Sequence, residues 1–169
     1  MKHLKTLVLA TALLIGSASI MNAQSKVAHI NTQELVTSMP ETKAAQAELD
    51  KLRKTYQVAL QDMQTELENK IKQYDAEAAS QTDEENSKRV QEVQGIQQSI
   101  QQYGGQAQQD MQKKELDLLK PITERARIAI QKVARAQGFQ YVLDSTQGQG
   151  VLLADGKDLM TDVRKELGF

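Results

Sequence analysis

The sequence predicts an α+β protein, mostly helical, in which a small sheet-bearing body carries a long antiparallel helical hairpin. Three observations predict it. Residues 41–120 contain no proline and carry a narrow apolar stripe at helical spacing. The stripe breaks once, near 78–82, and then resumes. Short strand patterns lie before residue 31 and after residue 139, so the chain leaves a body and returns to it. The expected organisation is a leader over 1–23, a body from 24–40 and 121–169, and a hairpin arm over 41–120.

The leader rests on Lys2 and Lys5 ahead of an apolar run from Leu7 to Ile15, small residues from Gly16 to Ser19, and a cut expected after Ala23. That order of charge, short apolar stretch and small residues is a secretory signal. The run is too short to span a bilayer comfortably, so the mature chain is expected to be exported with no integral membrane segment. Loss of the two lysines takes the formal charge from −1 to −3.

In the body, Lys26 to Asn31 alternates as a strand, with Ala28 and Ile30 on one face and Val27 and His29 on the other. Asn31 or Thr32 caps a short helix carrying Leu35, Val36 and Met39. Ser38 and Glu41 have capping-box spacing at the start of the first long helix. Its stripe, Leu49, Leu52, Tyr56, Leu60, Met63, Leu67, Ile71 and Tyr74, repeats every eleven residues, which favours a straight or slightly right-handed pairing of helices. Thr82 and Glu85 cap the second long helix, with Val93, Ile96, Ile100, Tyr103, Ala107, Met111 and Leu118 as its stripe. The alternative is one continuous coiled-coil helix; the cap and the loss of period favour the hairpin.

Pro121 predicts a kink or a fresh helical start. Gly138 ends that helix. Phe139–Asp144 reads as a strand, Val151–Leu153 as another, and 158–167 as a last helix burying Leu159, Val163 and Leu167. Within the second long helix, Gly104 and Gly105 each cost about 1 kcal/mol relative to alanine. They read as a flexible joint in the arm, with close packing or local fraying as the plain alternatives.

Composition removes whole classes of function. The 169 residues include 23 Gln but only two Phe and two His, with no Cys and no Trp. Disulfides, thiolate metal sites and thiol nucleophiles are excluded. A multi-histidine metal centre or a Ser-His-Asp triad has no material, since His29 is the one imidazole beyond the leader. No enzyme activity, cofactor, metal or nucleic-acid partner is expected. A body this small is marginal alone and its sheet edges need partners, so an obligate homo-oligomer is expected. Val27, Ile30, Val142, Leu143, Val151 and Leu152 are the candidate interface.

The segments KVAHINTQEL, PITERARIAIQKVARAQGFQYVLDS, GVLLAD and DLMTDVRKELG, in this order around a long helical pair, resemble the Skp/OmpH family of periplasmic chaperones. The resemblance spans the mature chain and rests mainly on the body. It implies a homotrimer whose bodies form a barrel-like core, with three hairpin arms around a cavity. It further implies ATP-independent holding of unfolded outer-membrane proteins in the periplasm. Met63, Tyr74, Ile96, Ile100, Tyr103 and Met111 become candidate client contacts, each equally well placed to be hairpin seam. A structural or adaptor coiled coil of the envelope is the alternative. The chain departs from the family's best-known, strongly basic members, because 41–120 holds 15 acidic and 11 basic residues. Lys88 and Arg89 beside Glu84 and Glu85 are weak grounds for a lipopolysaccharide site.

Overall fold

The computed structural model describes residues 25–169. The expected leader lies outside the described residues. The elements are β1 (Val27–Ile30), α1 (Thr32–Ser38), α2 (Pro40–Glu77), a 3-10 turn (Ala78–Ser80), α3 (Asp83–Ala136), β2 (Tyr141–Asp144), β3 (Lys157–Asp158) and α4 (Met160–Leu167). They divide into two compact units, one from 25–35 with 127–169 and one from 36–126. The first is called here the sheet unit and the second the hairpin unit. Among the described residues no helix is long and apolar enough to cross a membrane.

The sheet unit is built on three parallel strands in the order β2-β1-β3. Val27 lies beside Tyr141, Ala28 beside Val142, His29 beside Leu143 and Ile30 beside Asp144. Side chains alternate across the sheet, so Ala28, Ile30, Val142 and Asp144 share one face and Val27, His29, Tyr141 and Leu143 the other. The first face is covered. Ala28 and Ile30 are buried, together with Leu35, Ala129, Val133 and Ala134 from the helices and Leu159 and Val163 around α4. The spacing of 129 and 133, and of 159 and 163, places each pair on one helix face.

Both ends of this unit are closed by local chemistry. Asn31 caps α1 by accepting the Glu34 N–H at 2.9 Å. At the end of α3 the Phe139 N–H reaches the Ala134 carbonyl and the Gly138 N–H that of Arg135. Gly138 sits at φ 73, the left-handed step this double bond requires. Leu159 is buried immediately before α4, whereas Leu167 at its end is half-buried.

The hairpin unit pairs α2, 38 residues, with the part of α3 up to Ala126. At 1.5 Å per residue α2 is about 57 Å long. Ion pairs and hydrogen bonds give the antiparallel register. Glu41 meets Arg125, Glu48 meets Lys114, Tyr56 meets Asp110, Lys70 and Tyr74 meet Glu92, and Glu77 meets Arg89. Each advance along α2 is matched by a retreat along α3. The turn between them is capped as expected, with the Glu85 N–H on the Thr82 hydroxyl at 3.2 Å.

Three expectations are corrected. Val151–Leu153 forms no strand; the third strand is the two-residue Lys157–Asp158. The free side of β1 is taken by that short segment, whose bonds continue into Leu159 N–H to the His29 carbonyl at 3.0 Å. The apolar run at 151–153 stays outside the sheet. Of the two readings of Pro121, the fresh helical start is corrected, since α3 runs through it. Ile122 and Ala126 are buried just beyond it, and that burial outweighs the roughly 3 kcal/mol a mid-helix proline costs. The N-cap of α2 is Met39, with Pro40 in the first turn and no side-chain capping bond, so proline rather than a Ser38 capping box marks the start.

Candidate functional site

The uncovered face of the sheet is the first surface with functional character. Val27, Tyr141 and Leu143 are exposed on it, with His29 half-buried among them and its Nδ1 3.2 Å from the Ser145 hydroxyl. The 151–153 segment, outside the sheet, exposes Leu152 fully and Leu153 at 77%. So much large apolar surface in so small a unit marks an interaction surface. The candidate interface residues divide accordingly. Val27, Leu143 and Leu152 are open, and Val151 is half-buried. Val142 is half-buried on the covered face, where it lines a concavity of about 420 Å³ with Ile130 and Ala134 of α3. Ile30 is corrected: at 1% exposure it belongs to the chain's own core and has no surface to offer a partner. Tyr141 and Leu153 escaped the sequence reading. The signal for Tyr141 is the alternation itself, since Tyr141 and Leu143 share a face in any strand.

A polar knot holds the strand ends against α1. The Asp144 carboxylate accepts the Thr32 N–H at 3.2 Å, the Thr32 hydroxyl at 2.5 Å and the Thr146 N–H at 2.9 Å. The buried Thr146 hydroxyl donates to the Asn31 side-chain oxygen at 3.0 Å and accepts the Gln33 N–H at 3.3 Å. Burial alone would raise the Asp144 pKa, but the hydrogen bonds from Thr32 and Thr146 outweigh it and hold the group at about 2. This knot positions the sheet and supplies no reacting group.

The hairpin offers a different surface. Met63, Tyr74, Ile96, Ile100, Tyr103 and Met111 are all half-buried. Tyr103 packs edge-on against Tyr56, ring centroids 5.9 Å apart, and the Tyr56 hydroxyl donates to Asp110 at 3.0 Å. That hydrogen bond to a carboxylate raises the Tyr56 pKa, with partial burial adding to it. The most exposed large apolar side chains of the unit are instead Val58, Val90 and Leu116. All three lie off the stripe, which is why a search along the stripe passes over them. Gly104 and Gly105 lie inside the unbroken α3, and a Cβ on either would meet nothing within 4 Å. Close packing therefore does not demand glycine there.

Near the turn, Lys88 is paired with Glu84 at 3.0 Å and Arg89 with Glu77 at 2.7 Å. The Tyr74 hydroxyl and Lys70 both bond Glu92, and these bonds, that of Lys70 first, lower the Glu92 pKa. The two basic residues of the turn are thus already matched by carboxylates. Among the described residues no group of three or more His, Asp or Glu could hold a metal ion.

Comparison with known proteins agrees with this architecture. The chaperone protein Skp of Photorhabdus laumondii is 25% identical over 97% of this chain and 99% of its own length. Skp of Pectobacterium atrosepticum is 21% identical over 92% and 93%. A crystal structure of a putative outer membrane chaperone (OmpH-like) from Caulobacter crescentus superposes with a TM-score of 0.77 at 23% identity, covering 86% of this chain and 85% of that one. That likeness speaks to the fold. The family model described as outer membrane protein (OmpH-like) matches residues 26–167, and the chain belongs to that OmpH-like family.

Proposed function

We propose that this protein is an ATP-independent holdase chaperone of the periplasm, active as a homotrimer, which keeps unfolded outer-membrane proteins soluble between the hairpins of its three subunits. Family membership carries the reading, together with relatives whose names are those of chaperones. The uncovered sheet face and the fully exposed Leu152 support self-association through the sheet unit. The proposed trimer interface uses Val27, Leu143, Val151 and Leu152, joined by Tyr141 and Leu153.

Holding needs no reacting group. Weak apolar contacts spread over Val58, Val90 and Leu116, multiplied over three hairpins, give avidity without commitment to one client sequence. The neutral-to-acidic hairpin argues that electrostatic capture of acidic clients is not the driving force. The test is paired: molar mass by light scattering, and aggregation of a urea-diluted outer-membrane β-barrel with and without the protein. A trimer that suppresses aggregation at stoichiometric amounts is expected. A monomer removes the shared cavity. A trimer without suppression that retains a folded envelope partner in pulldown identifies an adaptor instead.

A further inference from the structure

The hairpin turn carries a cavity of about 510 Å³. Its apolar lining is Ile71, Ala78, Val90 and Val93, and its polar lining includes Asp75 and Arg89. The volume is within the range of small-ligand pockets and exceeds what a single apolar side chain fills. The walls are held in place before any ligand arrives. Thr82 caps α3, the Asn86 amide donates to the Ala78 carbonyl at 3.0 Å, and the Arg89 guanidinium lies over the Tyr74 ring at 4.6 Å. A preformed cavity avoids the ordering cost that a flexible one incurs on binding.

The polar groups define the occupant. The Arg89 guanidinium donates to Glu77 at 2.7 Å and lies 4.0 Å from Glu85, so its charge is already neutralised. Its Nη1 is buried and has no hydrogen-bond partner. That nitrogen has no accessible surface, so nothing in the cavity reaches it, and the guanidinium charge is met by Glu77, Glu85 and the Tyr74 ring face. An anionic group would find Arg89 and Lys70 already paired with Glu77, Glu85 and Glu92, and would meet the Asp75 carboxylate. Asp75, exposed at the same cavity, has no cation paired with it among the described residues. An apolar lining beside an open carboxylate, with Arg89 and Lys70 already paired, describes one ligand chemistry.

We propose that this cavity binds an extended peptide segment in which an apolar residue neighbours a lysine or arginine. The apolar side chain enters between Val90, Val93 and Ile71, and the cation meets Asp75. The inference rests on the holdase reading, because unfolded chains present such segments. It goes further in giving the hairpin turn a sequence preference, against acidic segments and for basic ones.

Fluorescence anisotropy with two labelled peptides tests it on the purified protein. One peptide alternates leucine and lysine, and the other replaces each lysine by glutamate. The lysine peptide is expected to bind at least about threefold more tightly, the scale of one exposed ion pair. Asp75→Lys should abolish that preference, and Val90→Glu should weaken the binding of a leucine–alanine peptide lacking charge. Asp117→Lys makes the same change of charge at an exposed hairpin position away from the cavity, and should leave the preference in place. Equal affinity for the two charged peptides overturns the proposal. So does an equal loss of preference in Asp75→Lys and Asp117→Lys, which would reveal only the field of the whole protein. Aggregation suppression is read in parallel. If the wild type suppresses aggregation while the peptides are not discriminated, the turn site fails and the holdase reading stands. If suppression is absent, the holdase reading fails whatever the peptides do.

Discussion

The sheet unit and the hairpin unit are held together in different ways. In the sheet unit, the buried apolar side chains come from β1, α1, α3, α4 and the residue before α4: Ala28, Ile30, Leu35, Ala129, Val133, Ala134, Val163 and Leu159. In the hairpin unit the buried residues are Met39, Ala45, Leu49, Ala107, Ile122 and Ala126, and none of 50–106 is buried. Two helices alone offer each other a single seam, so stripe residues from Leu52 to Tyr103 stay half wet. Ion pairs such as Lys70–Glu92 and Glu77–Arg89 set register there, and exposed pairs of this kind add little stability. The lesson is a division of labour. One unit buries enough to hold a single arrangement, and most of the other is stabilised so weakly that local opening is cheap. A holder of varied clients needs that second property where the client is met.

The largest effect expected from this contrast is in apolar truncation. Leu159→Ala removes a side chain with no exposed surface and should cost about 3 kcal/mol. Leu60→Ala, half-buried on the seam, should cost about 1 kcal/mol. Urea denaturation followed by circular dichroism measures both. Equal costs would break the comparison, because they would mean the seam is as well packed as the sheet unit.

The polar knot sharpens the comparison through pH. The folded Asp144 sits at about 2, below its ordinary value near 3.8. A depressed carboxylate stabilises the fold above its unfolded pKa, and that contribution fades as pH falls from about 4 towards 2. It is worth about 2 kcal/mol, and Asp144→Asn should lose most of it at neutral pH. The mutant should then show a flatter decline in stability between pH 4 and pH 2 than the wild type. An unchanged acid profile in the mutant would mean that Thr32 and Thr146 do not bind the carboxylate as described.

What could be read in the sequence follows the range of the interactions. The hairpin, its turn at 78–82 and its Thr82 cap were legible because helical period and capping are local, within four residues. The faces of β1 were legible for the same reason, as Ala28 and Ile30 alternate with Val27 and His29. The Asp144 knot was not, because it joins residues 32 and 144, and no spacing rule couples positions so far apart. Only the short step from Asp144 to Thr146, an acidic side chain on a backbone N–H two residues on, left a local trace. Strand β3 was missed because Lys157–Asp158 has no apolar pattern and exists only as a neighbour of β1. Apolar character alone mixes two faces, because Ile30 is apolar on the side the helices cover. On the hairpin the stripe led to Met63 and Ile100, whereas Val58, Val90 and Leu116 stand off it.

The smallest effect lies where the hairpin is weakest by sequence. Gly104 and Gly105 sit in the helical interior with open space around each Cβ position, so alanine fits without strain. Each substitution should stabilise α3 locally by about 1 kcal/mol, the ordinary difference in helix propensity. Hydrogen exchange at amides 100–110 is the direct measure, and slower exchange there with an unchanged rate in the sheet unit is the expected result. If the pair acts as a joint, the same double variant should hold a narrower range of client sizes while its capacity for small clients persists. Slower exchange with an unaltered client range would separate stability from use. The glycines would then be a tolerated weakness of the helix, and any adaptability would have to come from the half-wet seam as a whole.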